Sequence, residues 1–259
     1  MRAVTDVVIL MAGTGSRLRA SGEVLPKPLV PILGRPLISY IAEALGNIGV
    51  GTLHAVVGEN SDSLIASLRP LIPAAMQLNP IRNPDWQKQN GLSVLCAAGH
   101  VTEPFLLMMG DHLFDPAILS LVLESGASHC LNLAVDKKLE TIFDIDDAMK
   151  VQTSGNQVIT LGKTLDSYDA IDTGIFLCPH ELFDYLRGAQ SRSRGSDCSL
   201  ADGVRLMASD GKVRAIDIGP AWWQDVDTPE MLARAEQESA RLLRNRGGRR
   251  PEESVARQD

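Results

Sequence analysis

The chain has 259 residues, enough to bury a full hydrophobic core, and its 44% hydrophobic and 22% charged residues are ordinary for a folded protein. Its formal net charge of −7 disfavours a general nucleic-acid binder, which needs a basic surface. The four cysteines form no C-x-x-C pair and have no histidine at zinc-ligand spacing, which fits reduced thiols in a cytosol. The apolar run near the N-terminus is too short for a signal peptide or a membrane span, so we expect a cytoplasmic protein.

In the first half of the chain, predicted strands alternate with predicted helices. Apolar and amphipathic patterns predict, in chain order, strand Val7–Met11, helix Pro36–Leu45, strand Thr52–Val57, helix Ser63–Leu68, strand Met76–Ile81, helix Gly91–Gly99, strand Phe105–Met109 and helix Pro116–Leu123. Continuous apolar strands separated by helices imply a largely parallel sheet that is covered on both faces.

The second half is richer in strands. The predicted elements are strands Cys130–Val135, Ile142–Ile145, Lys150–Thr153, Val158–Leu161 and Ile171–Leu177, helices Pro179–Leu186 and Leu200–Ala208, strand Val213–Ile216, and a last helix from Pro229. We therefore predict an α/β fold with a doubly wound, mostly parallel, Rossmann-like sheet and antiparallel strands inserted late. Residues 1–244 are expected to form one domain, and residues 245–259, rich in Arg, Gly and acidic residues, a disordered tail.

The turn after the first strand carries the most specific motif. It consists of Ala12, Gly13, Thr14, Gly15 and Ser16. Arg17 follows at once, and Pro26-Lys27-Pro28 comes nine residues later. Glycines let successive backbone N–H groups point at one anion, while Arg17 and Lys27 supply side-chain donors for phosphate oxygens. A Rossmann fingerprint needs glycine where Leu18 stands, and no Walker A string occurs. The motif predicts a nucleoside triphosphate lying along the loop.

Acidic residues after two predicted extended segments are candidate metal ligands. Asp111 follows an apolar strand, at the edge where open α/β sheets bind ligands, and the next helix already has Asp115 as its cap. Asp225 and Asp227 share one face if their segment is extended. Asp227 also fits a capping box with Glu230, which favours Asp225 as the ligand and leaves open that both bind. Mg²⁺ prefers one or two carboxylates together with phosphate oxygens and waters.

Asn90, Gly91 and Ser93 open a predicted helix and are candidates for nucleotide binding. The amide of Asn90 carries both a donor and an acceptor and can read a base edge, and Gly91 permits close approach to the ring. The competing interpretation is an ordinary Asn-Gly turn before a helix.

Four further polar residues are candidates for binding an acceptor substrate. His112 follows Asp111 and is either a donor to the acceptor or a loop histidine with a local partner. Asp172 and Thr173 stand at the start of an apolar strand, where their polar groups can face a hydroxyl. Lys163 lies at a strand end, where a solvated lysine is the alternative.

These motifs resemble those of a known enzyme family. G-x-G-[TS]-R followed by Pro-Lys about ten residues on is the signature of the sugar-nucleotidyltransferases, with Ser16 here in place of the commoner threonine. The strings MGDH, DIDDAMKV, GKTLDSYDAIDTGIFLCP and WWQDVDTPEM are similar to those of the cytidylyltransferases that make CDP-inositol from inositol 1-phosphate. In that subgroup the catalytic domain is often joined to a membrane-embedded phosphotransferase domain. The resemblance covers most of residues 5–240.

The resemblance implies a nucleotide-diphospho-sugar transferase-like fold and a Mg²⁺-dependent transfer of CMP from CTP to a phosphorylated polyol, with release of pyrophosphate. Asp111 and Asp225 would hold the metal, with Asp227 as a further candidate, and Lys163 and Asp172 would approach the acceptor. Another nucleotide with a sugar 1-phosphate, phosphocholine or phosphonate acceptor is the nearest alternative. A non-catalytic nucleotide sensor is a second alternative. No nucleic-acid partner is expected, and an oligomer stays open.

Overall fold

A mixed β-sheet forms the centre of the protein in the computed structural model, which describes residues 4–13, 25–59, 61–102, 104–127 and 129–247. The strands in these ranges are β1 (Asp6–Leu10), β2 (Pro31–Ile32), β3 (Arg35–Pro36), β4 (Thr52–Val57), β5 (Gln77–Arg82), β6 (Phe105–Met109), β7 (His112–Phe114), β8 (Leu131–Asp136), β9 (Lys150–Ser154), β10 (Gln157–Gly162), β11 (Ala170–Cys178), β12 (Val213–Asp217) and β13 (Trp223–Asp225).

Helices connect most of these strands. They are α1 (Leu37–Asn47), α2 (Asp62–Leu68), α3 (Asn90–Cys96), α4 (Ala117–Ser125), α5 (Leu182–Arg192), α6 (Leu200–Ser209) and α7 (Pro229–Gly247), with short 3₁₀ turns at Lys27–Leu29, Arg69–Leu71 and Leu139–Thr141. None of the helices within the described ranges is both long and apolar enough to cross a membrane.

The order of the strands puts several strand ends at one edge of the sheet. The order is β5-β4-β1-β6-β11-β8-β12-β10-β9. β5, β4, β1 and β6 pair in parallel, as do β8 and β12, whereas β11 is antiparallel to both β6 and β8. The carboxyl ends of β1, β6 and β8 and the start of β11 therefore share an edge. This arrangement confirms the predicted α/β class with late antiparallel strands.

Both faces of the sheet are buried, which is why its central strands read as continuous apolar runs. Val7 and Ile9 of β1 pack on one side with α1 and α4, and Val8 packs on the other with α3, α5 and α6. Leu106 of β6 packs on the same side as Val7, and Leu107 packs on the same side as Val8, because successive side chains of a strand point to opposite faces.

The predicted strand Ile142–Ile145 is wrong. The structure has turns there, directly after the 3₁₀ turn Leu139–Thr141. The carboxylate of Asp144 accepts a hydrogen bond from the N–H of Asp147 at 3.4 Å. The backbone carbonyl of Asp144 accepts another from the N–H of Ala148 at 3.1 Å. Short acidic side chains that bond nearby backbone groups compete with strand pairing.

The last helix passes the predicted domain boundary. α7 runs to Gly247, beyond residue 244, so the chain between 245 and 247 is helical rather than part of a tail. The remaining residues, 248–259, lie outside the described ranges, and a single domain with a disordered tail stays a prediction.

A polar network lies at the amino end of β1. Asp6, the first residue of β1, accepts hydrogen bonds from His54 Nε2 at 3.0 Å and from the N–H of Thr102 at 3.1 Å. His54 Nδ1 accepts from the amide of Asn79 at 2.9 Å, so the proton of the imidazole is on Nε2. Burial alone raises the pKa of Asp6, but the hydrogen bonds from Thr102 and His54 outweigh it and leave the pKa below its ordinary 3.8.

Asp6→Asn is expected to lower the free energy of unfolding at pH 7 by about 1–3 kcal/mol, because its amide group cannot accept from all of these donors. A group with a lowered pKa in the folded state stabilises fully above its unfolded pKa, and this contribution is lost as the pH falls through the folded value. In urea unfolding, the difference between Asp6→Asn and the natural chain should therefore stay constant from neutral pH down to about pH 5 and shrink as the pH falls below 3.8. The exposed Asp217→Asn is the control. A pH-independent difference would contradict the network.

Candidate active site

A short two-stranded ladder brings two distant acidic segments together. β7 pairs antiparallel with β13, with Asp225 opposite His112. The N–H of Val226 then donates to the backbone carbonyl of Asp111 at 2.9 Å. Asp111, Asp225 and Asp227 are thereby held next to the carboxyl end of β6, although they are far apart in sequence.

Lys27 joins two of these carboxylates. Its Nζ lies 2.7 Å from Asp111 Oδ2 and also donates to Asp227 Oδ1. The lysine starts a 3₁₀ turn between Pro26 and Pro28, whose fixed φ angles stiffen the backbone that presents the side chain. Burial lowers the pKa of Lys27, but the charges and hydrogen bonds of the two carboxylates raise it by more than burial lowers it. The net pKa therefore lies above its ordinary value. The ammonium is therefore charged at neutral pH.

The other oxygen of Asp111 is bound by His112, whose Nδ1 is 2.9 Å from Asp111 Oδ1. Burial raises the pKa of Asp111, yet the hydrogen bonds and charges of His112 and Lys27 hold that pKa well below its usual range. Burial likewise lowers the pKa of His112, and the contact with Asp111 reverses this and raises it above its ordinary value. Asp111 is therefore an ionised carboxylate with cationic or polar donors on both oxygens.

Two more carboxylates on this side of the site have pKa values shifted the other way. Burial raises the pKa of Asp225, and the nearby charges of Asp227 and Asp111 add to the effect. Burial raises the pKa of Asp172 to about 6, although the N–H of Gly174 donates to its Oδ1 at 2.7 Å. Burial is the main cause of both shifts, and only at Asp225 do neighbouring carboxylates add to it.

The four aspartates described above and His112 face one cavity of about 570 Å³. The predicted site residues that line it are Asn90, Asp111, His112, Lys163, Asp172, Asp225 and Asp227. Cavities of this size are typical of sites for small-molecule ligands. The structure thus brings together candidates for the nucleotide, for the acceptor and for the metal.

The side of the cavity formed by Asp111, Asp225 and Asp227, here called the acidic wall, suits a hard divalent cation. All its donors are carboxylate oxygens, which Mg²⁺ prefers, and the Lys27 ammonium between Asp111 and Asp227 shows that a positive charge is accommodated there. Within the described ranges, no group of three or more His, Cys, Asp or Glu side chains is arranged as a ready-made metal cage. A cation held by one or two carboxylates and by phosphate oxygens fits this wall.

The end of β1 lies beside Gly110, the residue that precedes Asp111. Met11 donates its N–H to Val56 at 2.8 Å, and Gly110 donates to Leu10 at 3.0 Å, so the segments that leave β1 and β6 stay together. Ala12 and the exposed Gly13 follow directly. Thr14, Gly15, Ser16 and Arg17 lie outside the described residues, and their roles stay predictions.

Thr173 and Ser93 are not among the residues that line the cavity, and the side chain of each has a hydrogen-bond partner within the protein, so their predicted contacts with an acceptor and a nucleotide stay predictions. Thr173 is fully buried, and its hydroxyl donates to the carbonyl of Ala134 at 2.9 Å. Alternation along β11 sends its side chain to the face opposite that of Asp172. Ser93 is also buried, and its hydroxyl accepts from the amide of Asn83 at 2.9 Å.

Gly91 has a packing role, and its predicted contact with a nucleotide ring stays a prediction. A Cβ at this position would lie 2.5 Å from the carbonyl oxygen of Cys198 and 2.8 Å from the backbone of Ser199. Asn90 does line the cavity, but its Oδ1 accepts from the N–H of Leu200 at 2.8 Å. A contact with a base is thus left to the amide nitrogen of Asn90.

Asp227 is not the cap of the last helix, contrary to the capping-box interpretation. α7 begins at Pro229, and the residue before it, Thr228, accepts a hydrogen bond from the N–H of Met231 at 3.3 Å. Proline is common at the first helical position, so the Thr-Pro pair was the signal that could have identified Thr228 as the cap. The side chain of Asp227 is bound to Lys27 instead.

The cavity also contains residues that the sequence patterns did not single out, among them Asp136, Lys138 and Trp223. Asp136 ends the apolar strand β8 at the edge where Asp111 follows β6, and this position was the signal that could have revealed it. Lys163 lines the cavity as well, and its Nζ lies 2.6 Å from Asp147 Oδ1.

Comparison with known proteins agrees with this geometry. Residues 7–167 match the MobA-like NTP transferase domain. The chain belongs to this family of nucleotidyltransferases. Over 91% of its length it is 33% identical to the "bifunctional IPC transferase and DIPP synthase" of Rubrobacter xylanophilus, and over 90% it is 27% identical to the protein of the same name from Aquifex aeolicus. It spans about half the length of these relatives, 52% and 51%.

Solved structures of nucleotidyltransferases have the same fold. The inositol-1-phosphate CTP transferase from T. maritima superposes with a TM-score of 0.78 at 26% identity, covering 91% of this chain and 97% of that one. A glucose-1-phosphate thymidylyltransferase structure from Bacillus anthracis, at 17% identity and a TM-score of 0.77, shares the fold alone. The predicted nucleotide-diphospho-sugar transferase-like fold is confirmed.

Gly91→Ala tests the packing role of this glycine. The added methyl group overlaps the backbone at Cys198, so the free energy of unfolding should fall by about 1–3 kcal/mol. Gly99→Ala, where nothing lies within 4 Å, is the matched control and should change it by less than about 0.5 kcal/mol. Chemical unfolding compares the two. Equal stabilities of the two variants would show that Gly91 is not needed for packing.

Proposed function

We propose that this protein transfers CMP from CTP to inositol 1-phosphate or a closely similar phosphorylated polyol, in a Mg²⁺-dependent reaction that releases pyrophosphate. The proposal rests on one observation: the Lys27 ammonium is bound between Asp111 and Asp227, two carboxylates that line a cavity together with further carboxylates. The choice of cytidine and of the inositol phosphate is supported by the similarity to the T. maritima enzyme and to the Rubrobacter relative.

The chemistry requires no general base. A phosphate monoester has its second pKa near 6 and is mostly a dianion at neutral pH, so its oxygen is already a nucleophile. This oxygen attacks the α-phosphorus of CTP, and a new P–O–P linkage forms as the bond from the α-phosphorus to the bridging oxygen of the β-phosphate breaks. The bond electrons leave with pyrophosphate. The main barrier is the approach of several negative charges to one centre.

The cationic side chains reduce this repulsion. Lys27 would move its ammonium from the carboxylates to the α-phosphate and the incoming acceptor, and Arg17 would neutralise the departing pyrophosphate. Backbone N–H groups of the loop from Ala12 to Ser16 would cradle the β- and γ-phosphates. A divalent cation held by Asp111 and Asp225, with Asp227 beside them, would supply further charge neutralisation when bound.

The acceptor end of the cavity is assigned to Asp172, Lys163 and His112. Asp172 is a half-buried carboxylate that lines the cavity, and the N–H of Gly174 donates to its Oδ1, so its second oxygen suits a polyol hydroxyl. Lys163 shares its charge with Asp147 and suits an acceptor phosphate. Holding both phosphates in line supplies a further part of the acceleration.

Lys27→Ala is expected to lower kcat by about 100- to 1,000-fold, because one preorganised donor to the transition-state charge is lost. Pyrophosphate release with CTP and inositol 1-phosphate measures this. The control is Lys212→Ala, an ion-paired lysine at a different surface, bound to Glu181 at 2.5 Å. Unchanged turnover in Lys27→Ala would remove the lysine from the mechanism.

Asp111→Asn and Asp225→Asn should each raise the Mg²⁺ concentration needed for half-maximal activity by about 10-fold or more, since each removes a charged oxygen ligand. Isothermal titration with Mn²⁺ in the presence of CTP gives a second readout that is independent of turnover. Asp217→Asn controls for the general effect of removing a carboxylate. Metal affinities equal to that of the natural chain in both variants would place the ion elsewhere.

A panel of nucleotides and acceptors distinguishes this function from its alternatives. Pyrophosphate release should be greatest with CTP and inositol 1-phosphate, and weaker with other triphosphates or with glucose 1-phosphate, phosphocholine and phosphonates. Preference for another pair would assign a different transferase activity to the same site. Thermal stabilisation by CTP and Mg²⁺ without any turnover would identify a nucleotide sensor.

A further inference from the structure

We propose that Trp223 and Asp136 are positioning residues that hold the imidazole of His112 against Asp111. This inference rests on the proposed function, in which Asp111 faces the triphosphate. The two residues do not enter the mechanism above, and no motif in the sequence singles them out for this role. Their contacts form a continuous path from the buried end of β8 to Lys27.

The imidazole of His112 is confined on two sides. The indole of Trp223 stacks on it, with ring centroids 5.6 Å apart and an angle of 6° between the planes. Gly174, at φ +74°, adjoins the ring as well: a Cβ there would lie 3.1 Å from both Cδ2 and Nε2 of His112. A glycine at this position therefore leaves the space that the imidazole needs, and the indole covers one face of the imidazole.

Asp136 fixes the indole. Its side chain is 4% exposed, and its Oδ2 accepts a hydrogen bond from Trp223 Nε1 at 3.1 Å. Its Oδ1 accepts from both the N–H and the Nζ of Lys138, each at 2.8 Å. A buried carboxylate with donors on both oxygens is a rigid anchor, and the indole can rotate only by breaking a hydrogen bond to a charged acceptor.

Lys138 fixes the backbone that leads to Trp223. Its Nζ donates to the carbonyl of Gly219 at 2.6 Å and to that of Ala221 at 3.2 Å. The Asp136–Lys138 pair thus holds both the side chain of Trp223 and the loop in front of β13. None of these contacts is needed to form the central sheet, whose strands already end at Asp136 and Asp217.

The fixed imidazole also fixes the orientation of the Asp111 carboxylate. With the plane of the imidazole fixed, Nδ1 of His112 stays directed at Asp111 Oδ1, and Asp111 Oδ2 stays directed at Lys27 and the cavity. A ring free to rotate would release this carboxylate. Loss of such a supporting contact around a ligating group typically costs about 10- to 100-fold in activity or metal affinity.

The experiment compares Trp223→Phe, which keeps an aromatic ring over His112, with Trp223→Leu, which removes it. Trp86→Phe, a tryptophan packed on Gly58, is the control for the substitution itself. Asp136→Asn is compared with Asp217→Asn, since both are aspartates at the ends of neighbouring strands but only Asp136 contacts the indole.

The first readout is the NMR spectrum of the His112 ring in the free protein, assigned by its loss in His112→Gln. Ring-current shifts of the imidazole protons should be retained in part by Trp223→Phe and lost in Trp223→Leu. Asp136→Asn should broaden or split these signals, whereas Asp217→Asn should leave them unchanged. Imidazole signals that are identical in the natural chain and in Trp223→Leu would overturn the proposal.

The second readout is steady-state kinetics with CTP and inositol 1-phosphate. Trp223→Leu and Asp136→Asn should lower kcat by about 10- to 100-fold, with KM for the acceptor changed less than about twofold. Trp223→Phe should have a kcat between those of Trp223→Leu and the natural chain, because phenylalanine keeps the stacked ring but lacks the Nε1–H that Asp136 accepts. Equal kcat in Trp223→Phe and Trp223→Leu, with both folded, would also overturn the proposal. A natural chain that fails to turn over CTP contradicts the proposed function, while the NMR comparison still decides the positioning role.

Discussion

The compensation of buried charge around Lys27 is the constraint on which the site depends. Its ammonium is partly buried, with the side chain 18% exposed, and contacts carboxylates from segments 84 and 200 residues away. Buried charges are tolerated when they are paired, so these three segments stabilise one another. Asp225 and Asp172 line the same cavity as Asp111 and Asp227, and this grouping of carboxylates makes the cavity receptive to a further cation.

The strand order explains why this charge cluster forms where it does. The chain extends from β1 outward to β4 and β5, then returns to β6 on the other side of β1. β4 and β6 therefore lie on opposite sides of β1, and open α/β sheets bind ligands beyond the carboxyl ends of the strands at such a reversal of strand order. Asp111 follows β6 at this edge of the sheet. The β7–β13 ladder then adds the acidic segment from Asp225 onward, which no element of the central sheet would place there.

The sequence predicts best what depends on local apolar patterns. The bounds of Phe105–Met109 are confirmed to the residue, because a strand buried on both faces is a continuous apolar run. The strand at Ile142–Ile145 is wrong because nearby carboxylates bond the backbone. Thr173 and Gly91 are correctly placed in their elements, yet what each contacts is set by chain segments distant in sequence. The contact of Asp136 with Trp223, 87 residues away, is set in the same way.

The most direct test of the charge cluster is a crystal structure with Mn²⁺ and a non-hydrolysable CTP analogue. The proposed function predicts an anomalous peak for the metal bound by Asp111 and Asp225, with Lys27 Nζ moved from the carboxylates to the α-phosphate. A nucleotide bound away from this cavity, or a Lys27 that keeps both carboxylates while the triphosphate is bound, would contradict the proposed function.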